Sequence, residues 1–205
     1  MPIEPVDVET LAFRASDGTE LEGDLLTPSD PVGAAVVCHP HPLYGGSRND
    51  AVVAALTRTL VGAGFRTLRF DFRGTGGSSG AHGFGTAEQL DVIAAIDAAI
   101  VPEKPFVLAG YSFGADVALS IDDARIDRWV VAAPVLSVFS EFAAAADPRP
   151  KLLLSAAHDQ FKPAADLLAE VAEWPATDVV TVEAADHFFG GRYQPLEAAV
   201  SAALS

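Results

Sequence analysis

With 205 residues, half of them hydrophobic and a fifth charged, the chain is long enough to bury a substantial core and too apolar to be disordered. Its 28 acidic residues against 13 basic ones give a formal net charge of −15. That excess opposes nucleic acid and anionic membrane surfaces, whose binding rests on Lys and Arg, and its plain reading is solubility.

The single cysteine, Cys38, excludes an internal disulfide and is consistent with a reducing compartment. Residues 1–5 carry no basic region and no apolar run behind them, and no stretch is long enough to cross a bilayer. A cytoplasmic protein is expected. No repeat, charge block or linker divides the chain, so one domain over residues 1–205 is expected, as a monomer or homodimer.

Residues 6–15 and 21–26 read as two strands, and the turn residues Ser16, Asp17, Gly18 and Thr19 between them suggest a hairpin. Gly33–Cys38 is a short continuous apolar run, as expected of a strand buried on both faces. Ser47 is the expected cap of a helix carrying Val52, Val53, Leu56, Leu60 and Val61, which Gly62 and Gly64 end. Residues 65–72 are the next strand. Thr86 opens another helix, with Gln89 completing a capping box, apolar positions at Leu90, Ile93, Ala94, Ile96 and Ile100, and Pro102 beyond its end. Further strands are expected at 106–109, 128–135, 151–156 and 179–182, and helices at 161–174 and 194–204. From Gly33 onward strand and helix alternate. This predicts an α/β fold with a mostly parallel sheet, helices on both faces and an antiparallel N-terminal hairpin. Ligands bind such sheets at the carboxyl ends of the strands.

The segment from Lys104 to Ser120 carries the strongest signal. The apolar run Phe106, Val107, Leu108, Ala109 leads into Gly110-Tyr111-Ser112-Phe113-Gly114 and then a helix-forming run with Ala115, Val117, Ala118 and Leu119. Strand, tight turn and helix place Ser112 at the apex of a G-x-S-x-G nucleophile elbow. The glycines suit a turn that brings strand and helix too close for a Cβ. The same pattern recurs at Gly76-Gly77-Ser78-Ser79-Gly80 after the strand at 65–72, but more glycine follows and no helix opens there. That copy reads as a flexible loop.

A serine hydroxyl needs a base to take its proton and an acid to orient the base. Of the five histidines, His39, His41 and His82 precede Ser112 and His158 and His187 follow it. His187 stands just after the last strand, in a loop able to reach back over Ser112. His158 is the reserve base. Asp159 directly follows the strand 151–156 and is the expected acid. Asp147 precedes that strand, Asp122 and Asp123 end a helix, no acid follows the strand 128–135 before Glu141, and Asp186 adjoins His187 and should point away from its ring.

The order Ser…Asp…His is that of the α/β-hydrolases, and over most of its length the chain resembles a small member of that superfamily. Its most distinctive part is Cys38-His39-Pro40-His41-Pro42-Leu43-Tyr44-Gly45-Gly46, which resembles the His-Pro-His-Pro loop of a group of small bacterial hydrolases. Asp71-Phe72-Arg73-Gly74-Thr75-Gly76 resembles the loop that follows the next strand in those enzymes. The resemblance implies an α/β-hydrolase fold and a serine esterase-type mechanism but names no substrate; a small-molecule ester-type substrate is the expected partner, and a thioesterase, peptidase or acyltransferase would use the same parts. A non-catalytic ligand-binding protein on the same fold is the rival reading, and fold alone does not decide between them.

The oxyanion formed on attack needs two backbone N–H donors. Phe113, next to the nucleophile, is one. The other comes from the loop after Gly33–Cys38. Pro40 and Pro42 have no N–H, so His41 is chosen, with Leu43 in reserve. His39 is expected to brace the loop by side-chain hydrogen bonds. A metal site at His39-x-His41 with Asp50 or His82 lacks a carboxylate or cysteine at a convincing spacing. The glycines between 74 and 85 match neither phosphate-cradling pattern. No metal and no cofactor is therefore expected. Asp71 and Arg73 are expected to hold their loop as an ion pair, and Cys38 to be a buried strand-end residue. Only Leu136 to Pro150 separate the strands between which larger relatives insert a cap. The site should thus be shallow and uncapped, with Leu43, Tyr44, Tyr111, Phe161 and Phe188 as apolar neighbours favouring small acyl or aryl esters.

Overall fold

A computed structural model describes residues 6–204. Residues 1–5, on which the expectation of no leader segment rests, and residue 205 lie outside the described residues. β1 (Val6–Arg14) and β2 (Glu20–Pro28) pair antiparallel in register from Val6–Pro28 to Arg14–Glu20. Asp17 closes the turn by accepting the Thr19 N–H at 3.0 Å, the side-chain turn chemistry that made the hairpin legible. β2 also pairs antiparallel with β4 (Phe65–Asp71), which joins the hairpin to the parallel part. There β4, β3 (Gly33–Cys38), β5 (Phe106–Tyr111), β6 (Arg128–Ala132), β7 (Lys151–Ala156) and β8 (Thr177–Val182) lie side by side. The eight-stranded order is β1-β2-β4-β3-β5-β6-β7-β8.

Every residue of β3, β5 and β7 is buried, because helices cover both faces and continuous apolar runs serve both. On one face α1 (Ala51–Gly62) and α5 (Tyr193–Leu204) bring Val52, Leu56, Leu196 and Val200 against Val37, Val107, Ala109 and Leu154. On the other, α2 (Glu88–Ala99), α3 (Phe113–Leu119) and α4 (Ala164–Glu170) pack Val92, Ile96, Val117 and Leu167 against Val36, Leu108, Trp129 and Leu153. β8 is an edge strand, exposed at alternate positions. β3 leads out to β4 on one side while β5 lies on its other side, so the strand order reverses beside β3 and β5, where such sheets open a crevice. Between β6 and β7 the chain forms only one 3-10 turn, Ala143–Ala145, and no cap.

Several predicted boundaries move for identifiable reasons. Ser47 does not cap α1; Asp50 does, its Oδ1 accepting the N–H groups of Val52 and Val53 at 2.8 and 3.4 Å. The Thr86–Gln89 capping box does not form. Instead α2 opens at Glu88, whose carboxylate accepts the Gly83 and Gly85 N–H groups at 2.7 and 2.8 Å, while the Gln89 amide donates to Ser120. α4 is shorter than residues 161–174, because the Phe161 and Lys162 N–H groups turn back onto Asp159 and Pro163 precedes the first helical residue. β6 stops at Ala132 rather than Val135, since Ala133 and Leu136 take positive φ of 43° and 55°.

The Gly76–Gly80 loop is tied to β2 and β4. The Ser78 hydroxyl donates to the Asp71 carbonyl at 2.6 Å and accepts the Glu22 N–H at 3.0 Å. Asp71 and Arg73 do not pair with each other. Asp71 takes the side chain and N–H of Arg48, each at 2.8 Å, whereas Arg73 binds Asp91 through its guanidinium and its N–H and reaches Asp17 at 2.8 Å. Among the described residues no helix is long and apolar enough to cross a membrane.

Arg73 is 6% exposed and Asp91 is fully buried, and removing one member of such a pair leaves an uncompensated charge in the core. We expect Asp91→Ala to cost about 3–5 kcal/mol in chemical denaturation; a cost below about 1 kcal/mol would mean that the pair does not hold this loop.

Candidate active site

The chain turns from β5 into α3 through Ser112, whose φ of 53° and ψ of −119° lie where a residue with a side chain is strained. The strain is held in place from both sides. The Ser112 N–H donates to the Ala132 carbonyl at 2.9 Å, and its own carbonyl accepts the N–H groups of Ala115 and Asp116 at 2.9 and 3.1 Å. The turn is also too tight for a Cβ at its flanking glycines. One built on Gly110 would lie 2.4 Å from the Gly114 carbonyl oxygen, and one on Gly114 would lie 2.4 Å from the oxygens of both Cys38 and His39. The Gly114 contact seats the loop after β3 against the start of α3.

The Ser112 hydroxyl does not cap its helix. It lies 2.9 Å from Nε2 of His187, on the loop after β8, and Nδ1 of His187 lies 2.8 Å from Oδ2 of Asp159, on the loop after β7. An ionised carboxylate only accepts hydrogen bonds, so Asp159 places the imidazole proton on Nδ1 and turns the Nε2 lone pair toward the serine. Burial pushes the Asp159 carboxyl up, but hydrogen bonds from His187 and from the N–H groups of Lys162 and Phe161 outweigh it, and the carboxyl is held below the usual range. His187 is 4% exposed. Its ring is flanked by Phe161, Phe188 and Tyr111 at centroid distances of 4.7, 5.6 and 5.7 Å, and the Tyr111 hydroxyl donates to its backbone carbonyl at 3.1 Å. A hydroxyl, a base and an orienting acid in this relation can carry out acyl transfer. His158 is not in the chain of bonds; its N–H donates to the Ala185 carbonyl at 2.8 Å.

The loop after β3 places His41, and the start of α3 places Phe113, on the wall of the same cavity as Ser112. Among the described residues neither N–H donates to a protein acceptor. The Leu43 N–H is taken, donating to Nδ1 of His41 at 3.2 Å. His39 bridges its own loop: one ring nitrogen lies 2.6 Å from the Pro40 carbonyl, and the other accepts the Phe72 N–H at 3.0 Å. Both His39 nitrogens are thereby used. Burial and then the neighbouring His82 hold the His41 ring below the ordinary imidazole value. Cys38 is fully buried, as expected, and burial pushes its thiol up.

The cavity has a volume of about 740 Å³ and is bounded by Tyr44, Tyr111, Phe161 and Phe188, as anticipated. Leu43 is not among its walls. The 3-10 turn Pro42–Tyr44 directs it outward and leaves it 65% exposed. Sequence reasoning missed Asp116 and the wall formed by Val135, Ser137 and Val138. Asp116 creates that wall: its two carboxylate oxygens accept the N–H groups of Val135, Leu136, Ser137 and Val138 at 2.9–3.2 Å. A lone acid in the apolar run 115–119 was the available signal.

His39 is fully buried, and desolvation lowers its pKa from 6.5 to about 4. Protonation would also set an N–H against the Phe72 N–H. The unfolded chain binds a proton on this ring between those two values and the folded chain does not, so stability falls as pH falls through that window. We expect His39→Gln to lose stability less steeply than the wild type between pH 7 and about pH 4.5, in denaturant titrations at each pH. Parallel curves would show that His39 does not contribute this dependence.

Comparison with other proteins agrees with this fold. The chain is 32% identical over 186 residues to an uncharacterised protein of Rickettsia prowazekii (strain Madrid E), covering 83% of this chain and 76% of that one. An alpha-beta serine hydrolase homologue from Coxiella burnetii superposes with a TM-score of 0.87 at 29% identity, covering 96% of this chain and 97% of that chain. An a/b serine hydrolase without lid from Xanthomonas campestris gives 0.83 at 28% identity, covering 98% and 95%. The sequence profile of the Alpha/beta hydrolase family matches residues 35–204, from within β3 to the end of α5. That span takes in the whole parallel sheet apart from the first residues of β3 and every residue of the serine–histidine–aspartate array, and the chain belongs to the alpha/beta hydrolase family.

Proposed function

We propose that the chain is a serine hydrolase, a carboxylesterase acting on small acyl or aryl esters through an acyl-enzyme. The observation that carries this reading is the unbroken run of hydrogen bonds from Ser112 through His187 to Asp159, 2.9 and 2.8 Å long, at the rim of an uncapped cavity. The His39-Pro40-His41-Pro42 segment is our reason for grouping it with the small hydrolases that carry that loop.

In the first half-reaction Ser112 Oγ attacks the ester carbonyl carbon while Nε2 of His187 takes the hydroxyl proton. The charge that develops on the carbonyl oxygen is held by the N–H groups of His41 and Phe113. Each such donor is worth roughly 3–4 kcal/mol in the transition state. Asp159 stabilises the imidazolium without taking its proton. Collapse of the tetrahedral intermediate breaks the ester C–O bond, and His187 protonates the leaving oxygen. In the second half a water molecule attacks the acyl carbon, His187 takes its proton, and the proton then returns to Ser112 as the acid is released. The aromatic walls favour short acyl or aryl groups by burying their apolar surface.

We expect p-nitrophenyl acetate to give a burst of p-nitrophenol stoichiometric with enzyme. Ser112→Ala should abolish the burst and lower kcat by roughly 10⁴–10⁶-fold. Asp159→Asn, which reverses the His187 tautomer, should lower kcat by about 10⁴-fold. Turnover that survives Ser112→Ala would overturn the reading. A panel of short acyl, aryl and thioester substrates separates a carboxylesterase from a thioesterase with the same machinery.

A further inference from the structure

Among the described residues the cavity that holds Ser112 has no lysine or arginine on its walls; its carboxylates are Asp50 and Asp116. The two differ in how far the protein compensates them. Each oxygen of Asp116 accepts two backbone N–H groups. Asp50 uses Oδ1 alone for its contacts with Val52 and Val53, and Oδ2 has no donor among the described residues. The start of α1 offsets part of the Asp50 charge, and the two cations that lie within two residues of the cavity wall in sequence are engaged elsewhere. Arg48 is held by Asp71, Glu22 and Asp24, and Lys162 by Glu170. The field of Asp50 is felt in the cavity: the Tyr111 phenol is pushed up by burial first and then by Asp50, ahead of Asp159 and Asp186. The net charge of −15 adds a long-range component of the same sign.

We infer that this site takes uncharged or positively charged esters and rejects anionic ones, and that Asp50 is the residue that sets the discrimination. The inference rests on the serine hydrolase reading and narrows it. Nucleotide-linked thioesters, phosphorylated esters and hemiesters of dicarboxylic acids bring negative charge to a cavity with no cation to receive it. A neutral aryl ester meets only the aromatic walls, and a cationic or hydroxylated one gains Oδ2 of Asp50 as a partner.

The test uses three acetates of similar shape: meta-tert-butylphenyl acetate, meta-(trimethylammonio)phenyl acetate and meta-acetoxybenzoate. Each kcat/KM is divided by the ester's own hydroxide-catalysed rate, which removes differences in leaving-group reactivity. At low ionic strength we expect the neutral and cationic esters to exceed the anionic one by about tenfold, and the gap to narrow as salt is raised. Asp50→Asn keeps a side-chain acceptor at the helix cap, and should narrow the gap by at least about threefold. The wild-type ratio and its salt dependence decide the matter even if that variant does not fold. Equal normalised rates in the wild type, or a gap that Asp50→Asn leaves unchanged, would overturn the charge discrimination while leaving the hydrolase reading in place. Failure of all three esters, together with no labelling of Ser112 by a fluorophosphonate, would overturn the hydrolase reading and this inference with it.

Discussion

Gly114 presses its backbone against the carbonyl oxygens of Cys38 and His39, and much of the site follows from that approach. It fixes the loop after β3 relative to the first turn of α3. His41 and Phe113 thereby come to one cavity wall beside Ser112. Any Cβ at that glycine would part the two loops, so the rigidity of the site is bought with a residue that has no side chain at all. The strained backbone of Ser112 persists for a related reason. Its N–H belongs to the ladder with β6 and its carbonyl to α3, and relaxing the turn would break both.

The remaining loops at the carboxyl edge are held by acids that accept backbone N–H groups. Asp116 gathers the four N–H groups after β6, Glu88 clamps Gly83 and Gly85, Asp159 turns the chain into α4, and Asp50 starts α1. Irregular backbone at the base of a cavity needs such acceptors, because its N–H groups have no ladder to join. Asp159 serves both purposes. Oδ1 organises the loop and Oδ2 faces His187, so the same group that shapes the chain also sets the imidazole tautomer.

These acids also explain what could and could not be read in the sequence. The parallel strands were legible because burial on both faces writes a continuous apolar run. Ser112, Asp159 and His187 were legible because each lies just past a strand, where chemistry and fold coincide. Asp116 was not, because its partners lie 19–22 residues away along a loop with no pattern of its own, and the end of β6 was misplaced with it. The start of α4 was hidden because a carboxylate two residues before Phe161, which takes the N–H groups ahead of the helix, leaves the helical composition unchanged. Asp71 and Arg73 are close in sequence, yet their partners come from the approach to α1 and from α2. Leu43 faces outward because His41 takes its N–H, a bond that depends on a ring orientation no residue pattern specifies.

The position of β8 at the sheet margin has a consequence for how the protein wears out. Ser112 hangs from the centre of the sheet, between β3 and β6, whereas His187 hangs from a strand bonded on one side only. Margins open at lower free energy than centres. Warming should therefore part the His187 imidazole from the Ser112 hydroxyl while the inner strands are still intact, so that this constellation comes apart before the fold does.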